Sequence, residues 1–154
     1  MSSLLRVYEQ AARLPRGRWL FSRLFSHKAP YFATVRPSFT ELRPGYARLT
    51  IRKRRRVHNH LGTVHVIAIL NGLEAAMGAL AEATLPPGKR WIPKGMEVDY
   101  TAKATSDITC VAETDPTAWT SGDPDVPVRV TATRDDGTVV VSGAIRLWVT
   151  DKPR

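Results

Sequence analysis

The stretch that most constrains this chain runs from His58 to Leu85, HNHLGTVHVIAILNGLEAAMGALAEATL. From Val66 to Leu80 it is apolar on every side, interrupted only by Asn71, Gly72, Glu74 and Gly78. A helix on a protein surface shows a polar face, whereas one apolar all round has to be wrapped by other structure. The run is long enough to be weighed as a membrane span. Asn71 and Glu74 near its middle, and the strand-like sequence downstream, argue instead for a core helix and no membrane span. Glu74 is then a carboxylate in an apolar helix. Such a group is costly to bury unless it is paired, hydrogen-bonded or facing a cleft, so it is a candidate for function.

The rest of the chain supplies the wrapping. Pro86-Pro87-Gly88 stops the helix. Strands read over 89–104, 107–114, 127–134 and 138–150, and Asp136-Gly137 marks a hairpin between the last two. In the final strand Val139, Val141, Ile145, Leu147 and Val149 alternate onto one face. Upstream, Tyr31 to Val35 starts a strand and Tyr46 to Ile51 alternates as another. The run Arg52-Lys53-Arg54-Arg55-Arg56 continues that second strand, with Arg52, Arg54 and Arg56 on one face and Lys53 and Arg55 on the other. Both faces cannot be buried, so the strand end projects beyond the core.

At the N-terminus Leu4, Val7, Tyr8, Ala11 and Leu14 fall at helical spacing, and Trp19, Leu20, Phe21, Leu24 and Phe25 suggest a second, short helix ending near His27. The basic, acid-poor start has some likeness to an organelle presequence, but Trp19 and Phe21 fit a packed helix better. The reading is a helical extension over 1–28 and one α+β domain over 29–152: a curved antiparallel sheet of five or six strands around a long helix.

A chain of 154 residues with 43% hydrophobic content can build one sizeable core. The single cysteine, Cys110, excludes an internal disulfide framework and a multi-cysteine zinc site, and suits a reducing compartment such as the cytoplasm. Within DITCVAET it reads as a small buried hydrophobe. The net charge of +9 is lopsided: residues 1–56 hold 14 Lys/Arg against Glu9 and Glu41, and residues 57–154 hold 9 against 12 acids. Any anionic partner therefore docks on the N-terminal third.

The element order, with Asn59, Gly62, His65 and Glu74, resembles the hotdog-fold thioesterases, above all the phenylacetate-degradation type and a related, largely uncharacterised domain family. In that type an N-x-x-G-x-x-H-G-G element leads into the central helix, and an acid follows nine positions after the histidine. Asn59-His60-Leu61-Gly62-Thr63-Val64-His65 has that spacing, and Glu74 is nine residues beyond His65. Two positions depart. Val66-Ile67 replaces the paired glycines, which narrows the oxyanion pocket, and Glu74 replaces an aspartate, which moves the carboxylate by about one methylene.

The resemblance implies thioester hydrolysis by a hotdog homodimer, with a tetramer left open, acting on acyl-coenzyme A or an acyl carrier protein. No cofactor is implied beyond coenzyme A as part of the substrate, and no metal. Glu74 would be base or nucleophile, and Asn59 would orient the water or thioester. His65 would position or donate, and the backbone of Val64 and Val66 would hold the oxyanion at the positive end of the helix. Asn71, three residues before Glu74, would hydrogen-bond it, and Gly62 would support the turn. Arg52, Arg54 and Arg56 would contact substrate phosphate.

Blander readings stand beside these: His65 as a helix cap, Asn59 as a turn residue, His58 and His60 as exposed side chains, Glu74 as a structural acid. A zinc site from His58, His60 and His65 has the spacing but no supporting acid or cysteine. Two rival functions stand as well. One is a non-catalytic acyl-thioester binder, given Val66-Ile67. The other is a nucleic-acid-binding protein using residues 48–56, against which the run lacks interleaved aromatics or a reader motif.

Overall fold

The computed structural model describes residues 2–153. Helix α1 covers Ser3–Ala12 and α2 Gly17–Lys28, followed by a 3-10 turn at Pro30–Thr34. Strands β1 (Ser38–Arg43) and β2 (Tyr46–Ile51) precede the long helix α3 (Val66–Thr84). Then come β3 (Lys89–Tyr100), β4 (Ile108–Glu113), β5 (Asp125–Arg134) and β6 (Val139–Asp151). The strands form one antiparallel sheet in the order β1-β2-β4-β5-β6-β3.

The sheet wraps α3 as its apolar sequence requires. Alternate residues of β2, β4 and β5 turn inward and are buried, among them Leu49, Ile51, Ile108, Cys110, Val128 and Val130. Strand propensity and burial agree here, which is why period-two reading succeeds. From Ile69 to Ala83 most of α3 is buried. It lies tight against the sheet at Gly72, where an added Cβ would overlap the Ile51 side chain and press on Cys110 Sγ. Glycine at this point is what lets helix and sheet meet. By length and composition α3 could cross a membrane; it is the core helix of this fold.

The two N-terminal helices share that core. Leu5, Tyr8 and Phe21 are buried with it. Phe21 and Phe25 meet Phe39 of β1 edge-on, at centroid separations of 5.4 and 4.9 Å. Two hydrogen bonds tie the helices to β1: Phe39 N–H donates to Ser22 Oγ at 2.9 Å, and Tyr8 Oη donates to the Thr40 carbonyl at 3.0 Å.

Three local expectations are corrected. Residues 31–35 do not begin a strand but lie in or just after the 3-10 turn, because Pro30 opens a helical turn and the strand starts only after Pro37. The basic run does not extend β2: pairing with β4 ends at Ile51–Ile108, and Lys53 N–H turns aside to Asp107 Oδ1 at 2.8 Å. Arg55–Val57 then forms another 3-10 turn. In β6 it is Val140, not Val139, that is buried beside Val141, since a register shift opposite Ala132/Thr133 places both inside.

Candidate active site

The approach to α3 is a tight, internally bonded loop. Asn59 Oδ1 accepts from Leu61 N–H at 3.0 Å and Thr63 N–H at 3.2 Å, while its Nδ2 donates to Thr63 Oγ1 at 2.9 Å. Gly62 completes the turn at φ 73, a conformation that favours glycine. Asn59 and Gly62 thus build the turn that delivers the chain to the helix. His65 caps α3: its Nδ1 accepts from Ile67 N–H at 3.1 Å, and its own N–H donates to the Val57 carbonyl at 2.7 Å.

Of the two oxyanion candidates, only one has a free donor. Val64 N–H is spent on the Ala104 carbonyl at 2.9 Å, so it does not serve. Val66 N–H donates to nothing among the described residues and sits at the positive end of α3. His60 is exposed, but His58 is not: it is half-buried, and its Nε2 is shielded from solvent without a partner. No three His, Cys, Asp or Glu side chains converge among the described residues.

Glu74 is half-buried on α3 and makes no hydrogen bond or ion pair among the described residues. Asn71 does not reach it. Its Nδ2 donates instead to Thr34 Oγ1 at 3.0 Å and the Tyr31 carbonyl at 3.3 Å, pinning the 3-10 turn to the helix, and its Oδ1 is buried without a donor. The competing partner is 37 residues away in sequence, which no local spacing reveals. The nine residues from His65 to Glu74 span about 13.5 Å and two and a half turns, which puts the two on opposite sides of α3. One chain therefore does not bring Glu74 together with the helix start.

Arg52, Arg54 and Arg56, although off the strand, line one open cleft of about 1110 Å³ together with α2 and the Pro30–Thr34 turn. Arg23 and Arg36 join them there; neither belongs to the basic run, and nothing in local spacing marks them. Cys110 is fully buried, with its thiol pushed up by that burial, as its strand pattern suggests.

A family profile described as "Domain of unknown function (DUF4442)" matches residues 17–149. No curated protein matches the chain. A crystal structure from structural genomics is 40% identical over 97% of this chain and 99% of its own, with a TM-score of 0.83. A Pseudomonas aeruginosa protein described as a probable thioesterase is 22% identical over 90% of this chain and 97% of its own, at TM-score 0.76. A thioesterase family protein of Silicibacter pomeroyi is 20% identical over 85% and 96%, at TM-score 0.70. The profile match places this chain in the DUF4442 family, and its sheet wrapped around one long core helix is the hotdog fold of the thioesterases.

Proposed function

We propose that the protein hydrolyses acyl-thioesters, with coenzyme A as the carrier, in sites shared between two copies of the chain. The observation that carries this reading is Glu74: a half-buried carboxylate on the core helix with no partner among the described residues, whereas Glu82 on the same helix accepts from Trp91. A fully buried structural acid would be paired, whereas a half-buried, unpaired one stays open to water, substrate or a second chain. As general base Glu74 would take a proton from the water attacking the thioester carbonyl; as nucleophile it would attack the carbonyl itself. The oxyanion that forms needs donors fixed in advance, and the free Val66 N–H at the capped start of α3 is suited to that. Collapse of the tetrahedral species expels the thiolate.

The separation of Glu74 from Val66 along the helix supports an interface site, in which each chain lends its helix start to the other's carboxylate. The sheet offers a place for the second copy. Strand β3 is an edge strand, and Met96 and Tyr100 pair with the buried Ile145 and Val141, which sets them on the helix side of the sheet. They are nevertheless 36% and 60% exposed. A partner's α3 would cover them. Arg52, Arg54 and Arg56 are suited to the phosphates of the carrier.

Complementation tests the reading. Glu74→Gln and Asn59→Ala chains, the latter with a loosened turn, should each be inactive as homodimers on a panel of acyl-coenzyme A substrates. Reassembled in equal amounts they give about half mixed dimers, each with one intact site, so about a quarter of the wild-type activity should return. No recovery despite mixed dimers would place the whole site in one chain. Binding without turnover by the wild type would favour a non-catalytic binder.

A further inference from the structure

The cleft beside α2 carries a charge arrangement that the core of the fold does not need. Arg23, Arg36, Arg52, Arg54 and Arg56 all line it, and no acidic side chain does. None of the five takes part in an ion pair among the described residues. Arg54 lies at the centre of the problem. Its Nε and Nη2 are shielded from solvent and hydrogen-bond to nothing. Burial, then Arg36, then Arg56, pull its pKa down, each acting against the charged form. A guanidinium with two nitrogens shielded and unpartnered, near two other cations, is unfavourable unless an anion completes it.

Two further features give the ligand a shape. Arg36 is held at φ 49, a left-handed conformation that a non-glycine residue rarely keeps, directly before Pro37. Trp19 stands 60% exposed at the cleft, with the Arg23 guanidinium 5.6 Å from its ring centroid. An exposed aromatic ring in a cleft lined by guanidinium groups is what a base joined to phosphates recognises. A single phosphomonoester, at roughly two negative charges, would still leave most of the five cations uncompensated, so more than one phosphate is called for. The cleft also touches the candidate site: Thr34 in its wall holds Asn71, one helical turn before Glu74 on the same face.

We infer that the cleft formed by α2, the Pro30–Thr34 turn and Arg52–Arg56 binds a nucleotide bearing more than one phosphate, its base on Trp19 and its phosphates on Arg54 and Arg36. This deepens the thioester reading by naming where the nucleotide half of the carrier sits, and it borrows from that reading only the choice of probe.

The probe is adenosine 3′,5′-bisphosphate, titrated calorimetrically into the full-length protein with no thioester present, so that absent hydrolysis and absent binding are separate results. Wild type should bind it, and adenosine should bind at least about tenfold more weakly. Arg54→Gln and Arg36→Gln should each cost about tenfold or more in affinity. Without nucleotide, Arg54→Gln should melt at or above the wild-type temperature, because it removes an uncompensated cation, whereas a merely structural arginine would leave the variant less stable. Equal affinity in wild type and both variants, or no binding by wild type, overturns the inference. So does arginine-dependent binding to phosphatidylserine–phosphatidylcholine vesicles without nucleotide binding, which would make the cleft a lipid-facing surface. Lower stability of Arg54→Gln would likewise count against it.

Discussion

The two edges of the sheet are finished in opposite ways. At β1 a six-residue strand is overlaid by α1 and α2, and its backbone groups bond to side chains: Phe39 N–H to Ser22, the Thr40 carbonyl to Tyr8. At the other end β3 runs for twelve residues and meets α3 through Trp91, whose Nε1 donates to Glu82 at 2.9 Å, while Ile92, Met96 and Tyr100 are open to solvent. An uncovered edge strand is a template for pairing, and proteins shorten, charge or cover such edges when pairing is unwanted. Here one edge is covered by the chain itself. The other is long and carries Lys89, Arg90, Lys94, Glu97 and Asp99, yet it leaves Met96 and Tyr100 open on its helix side, where a second copy would cover them. Pro93 and the register shift between Pro93 and Gly95 restrict that pairing without hiding the side chains.

Three variants probe this difference, in decreasing order of effect. Glu74→Gln should leave the proposed dimer intact yet lower kcat by about 10²–10⁴-fold, as loss of a general base does. A Gln variant that keeps most of the wild-type rate in a thioester assay would remove Glu74 from the mechanism and leave the open edge without a catalytic purpose. Next in size is the double change Met96→Lys and Tyr100→Lys. It should dissociate the dimer at micromolar concentration and cost about tenfold or more in activity while circular dichroism stays native. Thr40→Lys, on the covered edge, should not alter the oligomeric state. Sedimentation that finds the β3 variant still paired would refute the assignment of that edge.

The smallest effects come from the two glycines of α3, which face different ends of the sheet. Gly72 lies against Ile51 and Cys110 of β2 and β4, and Gly72→Ala should destabilise by about 1–3 kcal/mol through overpacking. Gly78 meets only Trp91 of β3, with an added Cβ 3.6 Å from its ring. There Gly78→Ala should be tolerated and gain about 0.5–1 kcal/mol of helix stability. Equal losses at both positions in thermal denaturation would mean that the β3 side is packed as tightly as the β2–β4 side.

Much of this architecture was legible in one dimension. An all-round apolar helix demands a wrapper, alternating runs supply it, Pro86-Pro87-Gly88 ends the helix, and Asp136-Gly137 turns β5 into β6. The turn and cap at Asn59, Gly62 and His65 were also readable, because their hydrogen bonds close within a few residues. Local periodicity reports burial, and short-range polar groups have few alternatives.

The tertiary structure decided the partners of every group with a distant choice. Asn71 bonded Thr34 rather than Glu74, Val64 N–H went to Ala104, and β2 stopped at Ile51 because β4 ends there as a partner. Arg23 and Arg36 reached the cleft of Arg52, Arg54 and Arg56 only when α2 docked on β1. Sequence spacing fixes which side chains can share one element's face. Which faces then meet depends on long-range packing, so the charges gathered in that cleft are a property of the fold.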